Sequence, residues 1–250
     1  MPSVKDKETR ESKVALVTGG GRGIGAACCK ALAAEGFTVA VHYNNSTDEA
    51  EALASGLPDA FAVGADLSDP ERIDGMVREL KTRSKTIDVL VNNAGVNRNA
   101  PTAMMKLEDF DTVAALERGV WYLTKSVLRR FMLRKGRGRI INISSVVGHT
   151  GNAGQTPYTM AKAALDAMTK SLAQETAGTD ILINSVAPGF IATEMTAELP
   201  EAVRERILSR IPLGRMGTPA EVAEVVTFLA TRAGYINGSV VHVNGGMYGG

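Results

Sequence analysis

Cysteine is nearly absent, and the two that occur, Cys28 and Cys29, are neighbours. Adjacent cysteines are poorly placed for an unstrained mutual disulfide, and neither they nor the three histidines have metal-ligand spacing. No metal is expected, and the thiols fit a reducing, cytoplasmic setting. There is no excess of charge either. With 28 Lys and Arg against 27 Asp and Glu, composition makes no overall electrostatic case for nucleic acid or a membrane surface. No apolar run approaches the ~18–20 residues of a membrane span. The opening "MPSVKDKETRES" lacks the apolar centre of a signal peptide and reads as a flexible tail over residues 1–12. No linker, low-complexity tract or repeat divides the rest of the chain, so residues 13–250 read as one domain with one large core.

What is present is alternation. "KVALVTG", "TVAVHY", "AFAVGADLSD", "DVLVNNAG", "GRIINISS", "ILINSVAPG" and "SVVHVNGG" read as short apolar strands. Helical stretches separate them: "GIGAACCKALAAEG", "TDEAEALASG", a helix capped by Ser68 or Asp69, and the spacing Val113, Leu116, Val120, Leu123, Val127. A long helix then begins within "GQTPYTMAKAALDAM", an insert covers Glu201–Ser209, and "TPAEVAEVVTFLAT" places Pro219 near a first turn. Nearly continuous apolar strands alternating with helices predict a parallel sheet covered on both faces.

The first strand–helix junction is "LVTGGGRGIGAA". Its glycines allow a tight turn and let backbone N–H groups approach a pyrophosphate at a helix N-terminus, where the dipole favours negative charge. Together with the alternation this predicts a Rossmann-type, doubly wound α/β sheet of about seven strands. No Lys-Ser/Thr pair comes after the loop, so it is not a P-loop. A nicotinamide enzyme that rejects the 2′-phosphate often has an acid at the end of its second strand. Here that strand ends "VHYNNS": Tyr43, Asn44, Asn45 and Ser46 offer donors, and Arg22 adds positive charge. NADPH rather than NADH is the expected cofactor.

Tyr158 and Lys162 are four residues apart at the head of a helix, hence on one face. A free tyrosine, with a pKa near ~10, is a poor acid at neutrality, and a neighbouring ammonium favours its ionised form. Thirteen residues before Tyr158, Ser145 stands at the C-terminal end of the fifth strand, where open parallel sheets bind ligands. Alternation turns Ser144 to the opposite face.

In "TGGGRGIG", "NNAG", the Ser145/Tyr158/Lys162 set and "PGFIATEM", the chain resembles the short-chain dehydrogenase/reductases over about residues 13–250. "NISSVVG", "GNAGQTPY" and "IPLGRMGTPAEVA" most resemble the 3-oxoacyl-[acyl-carrier-protein] reductases. The resemblance implies that Tyr158 protonates the substrate oxygen, Ser145 hydrogen-bonds it, and Lys162 supports Tyr158 and holds the nicotinamide ribose. It implies a pyrophosphate loop of Gly19, Arg22, Gly23, Ile24 and Gly25, with Asn44, Asn45 and Ser46 beside the adenosine end. Asp66 and Leu67 would sit near adenine, Asn92, Ala94 and Gly95 near the ribose, and Pro188, Gly189, Ile191 and Thr193 near the carboxamide. The implied reaction is NADPH-dependent reduction of a 3-oxoacyl thioester in fatty-acid synthesis, by a homo-oligomer, a tetramer in most relatives.

Two departures leave alternatives open. The family's Asn-x-x-Gly element is missing: counting back three from Gly119 gives Leu116, Val113–Gly119 is one residue short, and no asparagine lies between Asn99 and Asn142. Losing one helical residue rotates the part before it by about 100°, so either the preceding turn absorbs the shift or the helix is distorted. A cofactor-binding protein with impaired catalysis is therefore an alternative. The second departure concerns the carrier. Arg129, Arg130, Arg134, Lys135, Arg137 and Arg139 could dock an acidic carrier protein, but "ETAGTDIL" lacks the basic residue that related enzymes often have. Acetoacetyl-CoA or another small ketone is thus an alternative substrate. His42, His149 and His242 share no catalytic spacing and read as surface or supporting residues. Phe190, Met195 and Met216 are candidates for a substrate lid hinged at Gly189 and Gly214.

Overall fold

The computed structural model describes residues 13–193 and 201–249; the expected tail over 1–12 and the lid candidate Met195 lie outside them. The seven expected strands form one sheet in the order β3-β2-β1-β4-β5-β6-β7. They are β1 (Val14–Val17), β2 (Thr38–Tyr43), β3 (Ala60–Gly64), β4 (Val89–Asn92), β5 (Arg137–Ile143), β6 (Asp180–Pro188) and β7 (Val240–Val243), and all pair in parallel. The helices are α1 (Gly23–Ala34), α2 (Thr47–Ser55), α3 (Pro70–Arg83), α4 (Leu107–Val127), the one-turn α5 (Val147–Thr150), α6 (Thr156–Glu175), α7 (Glu201–Leu208) and α8 (Pro219–Thr231). Of the two expected caps for α3, Asp69 is the one used, accepting from the Glu71 N–H at 2.8 Å. No helix among the described residues is long and apolar enough to cross a membrane.

Strand periodicity divides the core. Ala15 and Val17 of β1 join Cys28, Leu32, Val222 and Val226 beneath α1 and α8. Their neighbours Val14 and Leu16 join Ile73, Leu80, Leu123 and Met132 beneath α3 and α4. Both faces are therefore apolar at period 2, as a sheet covered on both sides requires. Cys28 and Cys29 are free and buried, and burial alone pushes the Cys28 thiol up to about 12, so these are packing residues.

The second face carries a polar row near its C-terminal end. Asn92, Asn142 and Ser185 are successive register partners on β4, β5 and β6. Asn92 Nδ2 donates to Asn142 Oδ1 and to Thr124 Oγ1 of α4, each at 2.8 Å. Asn142 Nδ2 donates to Thr169 Oγ1 of α6 at 2.7 Å, and Thr169 shares a 2.8 Å hydrogen bond with Ser185. The row ties both helices to the sheet at fixed heights.

The segment from Leu116 to Gly119 lies inside an unbroken α-helix, so the missing residue causes no distortion there. Instead a π turn comes next at Leu128–Met132, and such a turn accommodates one more residue than an α turn. Gly119 is held against the turn that leads into α3: a Cβ there would stand 1.6 Å from the Leu67 carbonyl oxygen. Gly119→Ala is accordingly expected to destabilise the fold by about 3 kcal/mol or more. Gly75→Ala in α3, where the nearest atom is a flexible Arg78 nitrogen at 3.9 Å, should be neutral or stabilising by up to about 1 kcal/mol. Thermal unfolding of the two variants checks the pair, and equal midpoints would show that α4 shifts freely.

Candidate active site

β1 leads outward to β2 on one side, and β4 begins the other half of the sheet. The two chains leaving β1 and β4 therefore diverge at their C-terminal ends, and a crevice opens between them. Three side chains hold it in shape, Thr18 and His42 buried and Asn93 half-buried. Thr18 Oγ1 accepts from the backbone N–H of Asn93 at 2.9 Å and of Ala94 at 3.0 Å. The Asn93 amide donates to the carbonyls of Thr18 and Gly19 at 2.9 and 3.1 Å. His42, at the end of β2, accepts from the Gly19 N–H through Nδ1 at 3.1 Å and faces the Ala65 carbonyl through Nε2 at 3.0 Å. That pairing requires a neutral ring with its proton on Nε2. Burial pushes the His42 pKa down to about 4, against the opposing pull of the Ala65 hydrogen bond and the Asp66 charge.

The glycine loop passes through this crevice. Gly19 has φ +61°, and a Cβ on Gly25 would fall 2.2 Å from the Gly19 carbonyl oxygen and 2.6 Å from Asn93 Nδ2. Helix α1 thus starts in contact with the loop, its free N–H groups facing the crevice. The cleft has two lobes that share Asn93, Gly95 and Val96. The first, of about 390 Å³, is lined by Gly19, Arg22, Asn44, Asn45, Ser46, Leu67 and Ala94, with Tyr43 and Leu116. No carboxylate lines it, and Arg22 has no ion-pair partner among the described residues.

The second lobe, of about 320 Å³, is lined by Ser145, Tyr158 and Lys162, with Ile24, Pro188, Gly189, Ile191 and Thr193. Lys162 is buried and donates from Nζ to the carbonyl of Ile143, the last residue of β5, at 2.7 Å. Its ammonium lies 5.5 Å from the centre of the Tyr158 ring. One lysine therefore spans from the catalytic helix to the strand end that carries Ser145. A second tie runs from the same loop to α6, where His149 Nε2 meets the buried Asp166 carboxylate at 2.9 Å. Tyr248 stacks on His149 with ring centres 5.2 Å apart, and His242 meets both rings edge-on, bracing the loop from the C-terminal side.

Most of the residues singled out in the sequence come together here, with two exceptions. Asn92 lies in the polar row, its amide nitrogen committed to Thr124 and Asn142, and lines neither lobe. Alternation turns its neighbour Asn93 to the cleft instead. Asp66 lines neither lobe; its Oδ1 accepts from the Ser68 N–H and hydroxyl at 2.8 and 2.7 Å and shapes the turn into α3. Ser144 is buried, with its hydroxyl directed at the Val186 carbonyl. Thr18 and Asn93 had no distinguishing signal beyond adjacency to the glycine motifs. His42 had one, its position at the end of β2 opposite the loop. The two-lobed shape, the glycine contacts too close for any Cβ and the N–H groups of α1 fit a dinucleotide. Gly19, Arg22 and Asn44–Ser46 would hold its phosphate and adenosine portion, and Tyr158, Lys162 and Pro188–Thr193 its nicotinamide portion.

His42 contributes stability that is present above its unfolded value near 6.5 and is lost as pH falls through about 4. His42→Leu should melt several degrees below the wild type near neutrality, and the gap should narrow as pH falls from 6.5 to 4. Thermal unfolding of both proteins over that range tests this; a gap that stays constant would remove His42 as the loop's pH-sensitive anchor.

Comparison with known proteins agrees with this geometry. Residues 19–248 match the family profile described as enoyl-(acyl carrier protein) reductase. The chain is 42% identical over 243 residues to the 3-oxoacyl-[acyl-carrier-protein] reductase FabG of Staphylococcus aureus, covering 95% of this chain and 98% of that protein. It is 44% identical over 245 residues to the protein of the same name from Aquifex aeolicus, with 95% and 98% covered. It is 45% identical over 243 residues to the 3-oxoacyl-[acyl-carrier-protein] reductase of Synechocystis, with 94% and 97% covered. A cleft of this construction and relatives matched over nearly their whole length place the chain in the short-chain dehydrogenase/reductase family, among 3-oxoacyl-[acyl-carrier-protein] reductases.

Proposed function

We propose that this protein reduces a 3-oxoacyl thioester to the 3-hydroxyacyl thioester with NADPH. The observation that carries the reading is the set Ser145, Tyr158 and Lys162 on one lobe, adjoining a glycine-lined lobe that presents Arg22 and no carboxylate. The names of the relatives support the substrate class. Bound NADPH would supply the hydride. Ser145 and Tyr158 present hydroxyl groups to the oxygen that becomes negative, and Tyr158 gives it a proton. The Lys162 cation, held on the Ile143 carbonyl, stabilises the negative charge left on the ring. Pro188, Gly189 and Ile191 wall the lobe and limit water around the reacting carbon.

The family profile's description favours a second reading, reduction of a 2-enoyl thioester. The Ser145 and Tyr158 hydroxyls, lining the same small lobe, suit a carbonyl oxygen better than a carbon–carbon double bond.

An acidic carrier is proposed to dock on the basic end of α4, near Arg129, Arg130 and Arg134. Arg130, Lys135 and Arg139 face Asp74, Asp88 and Asp180, which leaves Arg129, Arg134 and Arg137 without acidic partners among the described residues. Because Arg137 begins β5 and Ser145 comes just after its end, the patch lies at the opposite end of the strands, roughly 20 Å from the cleft. Exposed Trp121 and Met160 on α4 and α6, and Phe228 on α8, support a homo-oligomer. The free buried thiols fit the cytoplasm.

NADPH oxidation with acetoacetyl-CoA is the test. Tyr158→Phe is expected to lower turnover by about 10²-fold or more while NADPH binding persists. NADPH should be favoured over NADH, and crotonyl-CoA should not be consumed. No turnover despite normal NADPH binding would favour a binding-only protein. A carrier thioester no better than its CoA counterpart would remove the docking patch.

A further inference from the structure

The Ser145 and Tyr158 hydroxyls must meet one substrate oxygen, yet they stand on separate elements. Tyr158 is carried by α6, a helix of 20 residues. Ser145 lies in the bend between β5 and α5, and α5 is only four residues long. A single helical turn does not hold itself together, because fixing its backbone costs more than its first hydrogen bonds return. The serine nevertheless depends on that turn: its Oγ accepts from the Val147 N–H at 3.4 Å, and its carbonyl accepts from the Gly148 N–H at 3.0 Å. With Oγ engaged as an acceptor, its O–H is left to donate to the substrate oxygen. Whatever fixes α5 therefore fixes the serine.

Tyr158, Lys162 and Asp166 are spaced by four along α6 and form one stripe. The stripe meets the serine segment rung by rung. Lys162 Nζ donates to the Ile143 carbonyl at 2.7 Å. Gly148 lies so close to α6 that a Cβ there would stand 3.1 Å from the Lys162 carbonyl carbon and the Ala163 nitrogen. One turn further on, Asp166 meets His149 Nε2 of α5 at 2.9 Å. Asp166 is buried and has no other ion-pair or hydrogen-bond partner among the described residues. Tyr248 covers the pair by stacking on His149, and its own carbonyl accepts from Asn244 Nδ2 at 2.9 Å. A carboxylate buried here costs the fold more than an apolar pair of similar size would, so stability does not account for it.

We propose that Asp166 and His149 are positioning residues for the reduction: their contact sets α5 against α6 and so holds the Ser145 hydroxyl in register with that of Tyr158. Neither residue lines the cofactor lobe or the substrate lobe, so both act through Ser145. Lys162 fixes the strand end and Asp166 the α5 turn. Attachments one helical turn apart on α6, about 5.4 Å, stop the segment from pivoting about either one. The substrate oxygen becomes negative only as hydride arrives, so a displaced serine weakens the transition state more than the bound substrate. Loss of the pair is therefore read in kcat and not in binding.

This inference rests on the reductase reading, and the experiment separates the two. Acetoacetyl-CoA reduction is measured for the wild type, Asp166→Asn and the double variant His149→Leu/Asp166→Leu, with NADPH affinity and thermal unfolding alongside. The double variant removes the buried carboxylate together with its partner, so its midpoint should equal or exceed that of the wild type. Its kcat should fall about tenfold, with NADPH affinity and thioester KM unchanged within about twofold. Asp166→Asn keeps an oxygen for His149 and should retain most of the wild-type kcat. A double variant that turns over like the wild type would overturn the positioning role and leave the reductase reading standing. So would an Asp166→Asn kcat as low as that of the double variant, because the contact and not the charge is what positions. A fall in kcat matched by an equal fall in NADPH affinity would show a general loosening of the site and overturn it too. If the wild type does not turn over, the reductase reading fails and the positioning role fails with it.

Discussion

The row of hydrogen bonds through Asn92, Asn142, Thr169 and Ser185 is the constraint on which the site's geometry depends. Apolar packing alone holds α4 and α6 near the sheet but leaves their height and rotation loosely set, because dispersion and burial are non-directional. Polar groups buried at this depth must be paired, and each pairing admits one arrangement. Thr124 therefore fixes α4 against β4, and Thr169 fixes α6 against β5 and β6. Two turns before Thr169 on the same helix lies Lys162, which reaches back to the end of β5. The strand whose Asn142 anchors α6 is thus the strand whose last carbonyl receives the lysine. An error in the height of α6 would break both contacts together.

The other half of the cleft is built by the same means with different residues. Thr18, Asn93 and His42 use their hydrogen bonds on backbone groups of the loop and strand ends, leaving the loop little freedom to close over the crevice. Gly25 then lets α1 begin against that loop. A ligand entering here meets N–H groups already aimed, so little ordering is left to binding. The cost is a buried histidine that must stay neutral, which makes the loop the acid-sensitive part of the fold.

The sheet, its helices and the catalytic set were legible because each rests on local signals: period-2 apolar runs, caps, a glycine loop and an i,i+4 pair. What was not legible required knowing which side chain faces which layer. Asn92 and Asn93 are identical in sequence, and only the pleat separates a sheet anchor from a cleft residue. Asp66, expected at the adenine, forms a turn with Ser68 through Oδ1, a local pairing that short acidic side chains often make. His149, Asp166 and Tyr248 lie far apart in the chain and meet only because the C-terminus folds back over α5. The missing asparagine was visible, but whether its loss kinked α4 was not, since both outcomes fit the same spacing.

Gly119 explains why α4 stays straight. Its backbone approaches the Leu67 carbonyl so closely that no other orientation of the helix fits, and this fixes the rotation of α4 at that point. A run one residue short must then redistribute the side chains that precede Gly119, not bend the helix that contains it. Leu116 closes the wall of the first lobe, and Glu117 turns to the catalytic helix. An apolar side chain at 117 would fill the same wall without desolvating a carboxyl, so the glutamate is a net cost to packing. The cation of Lys162, the one group on the facing helix that acts on it, offsets part of that cost.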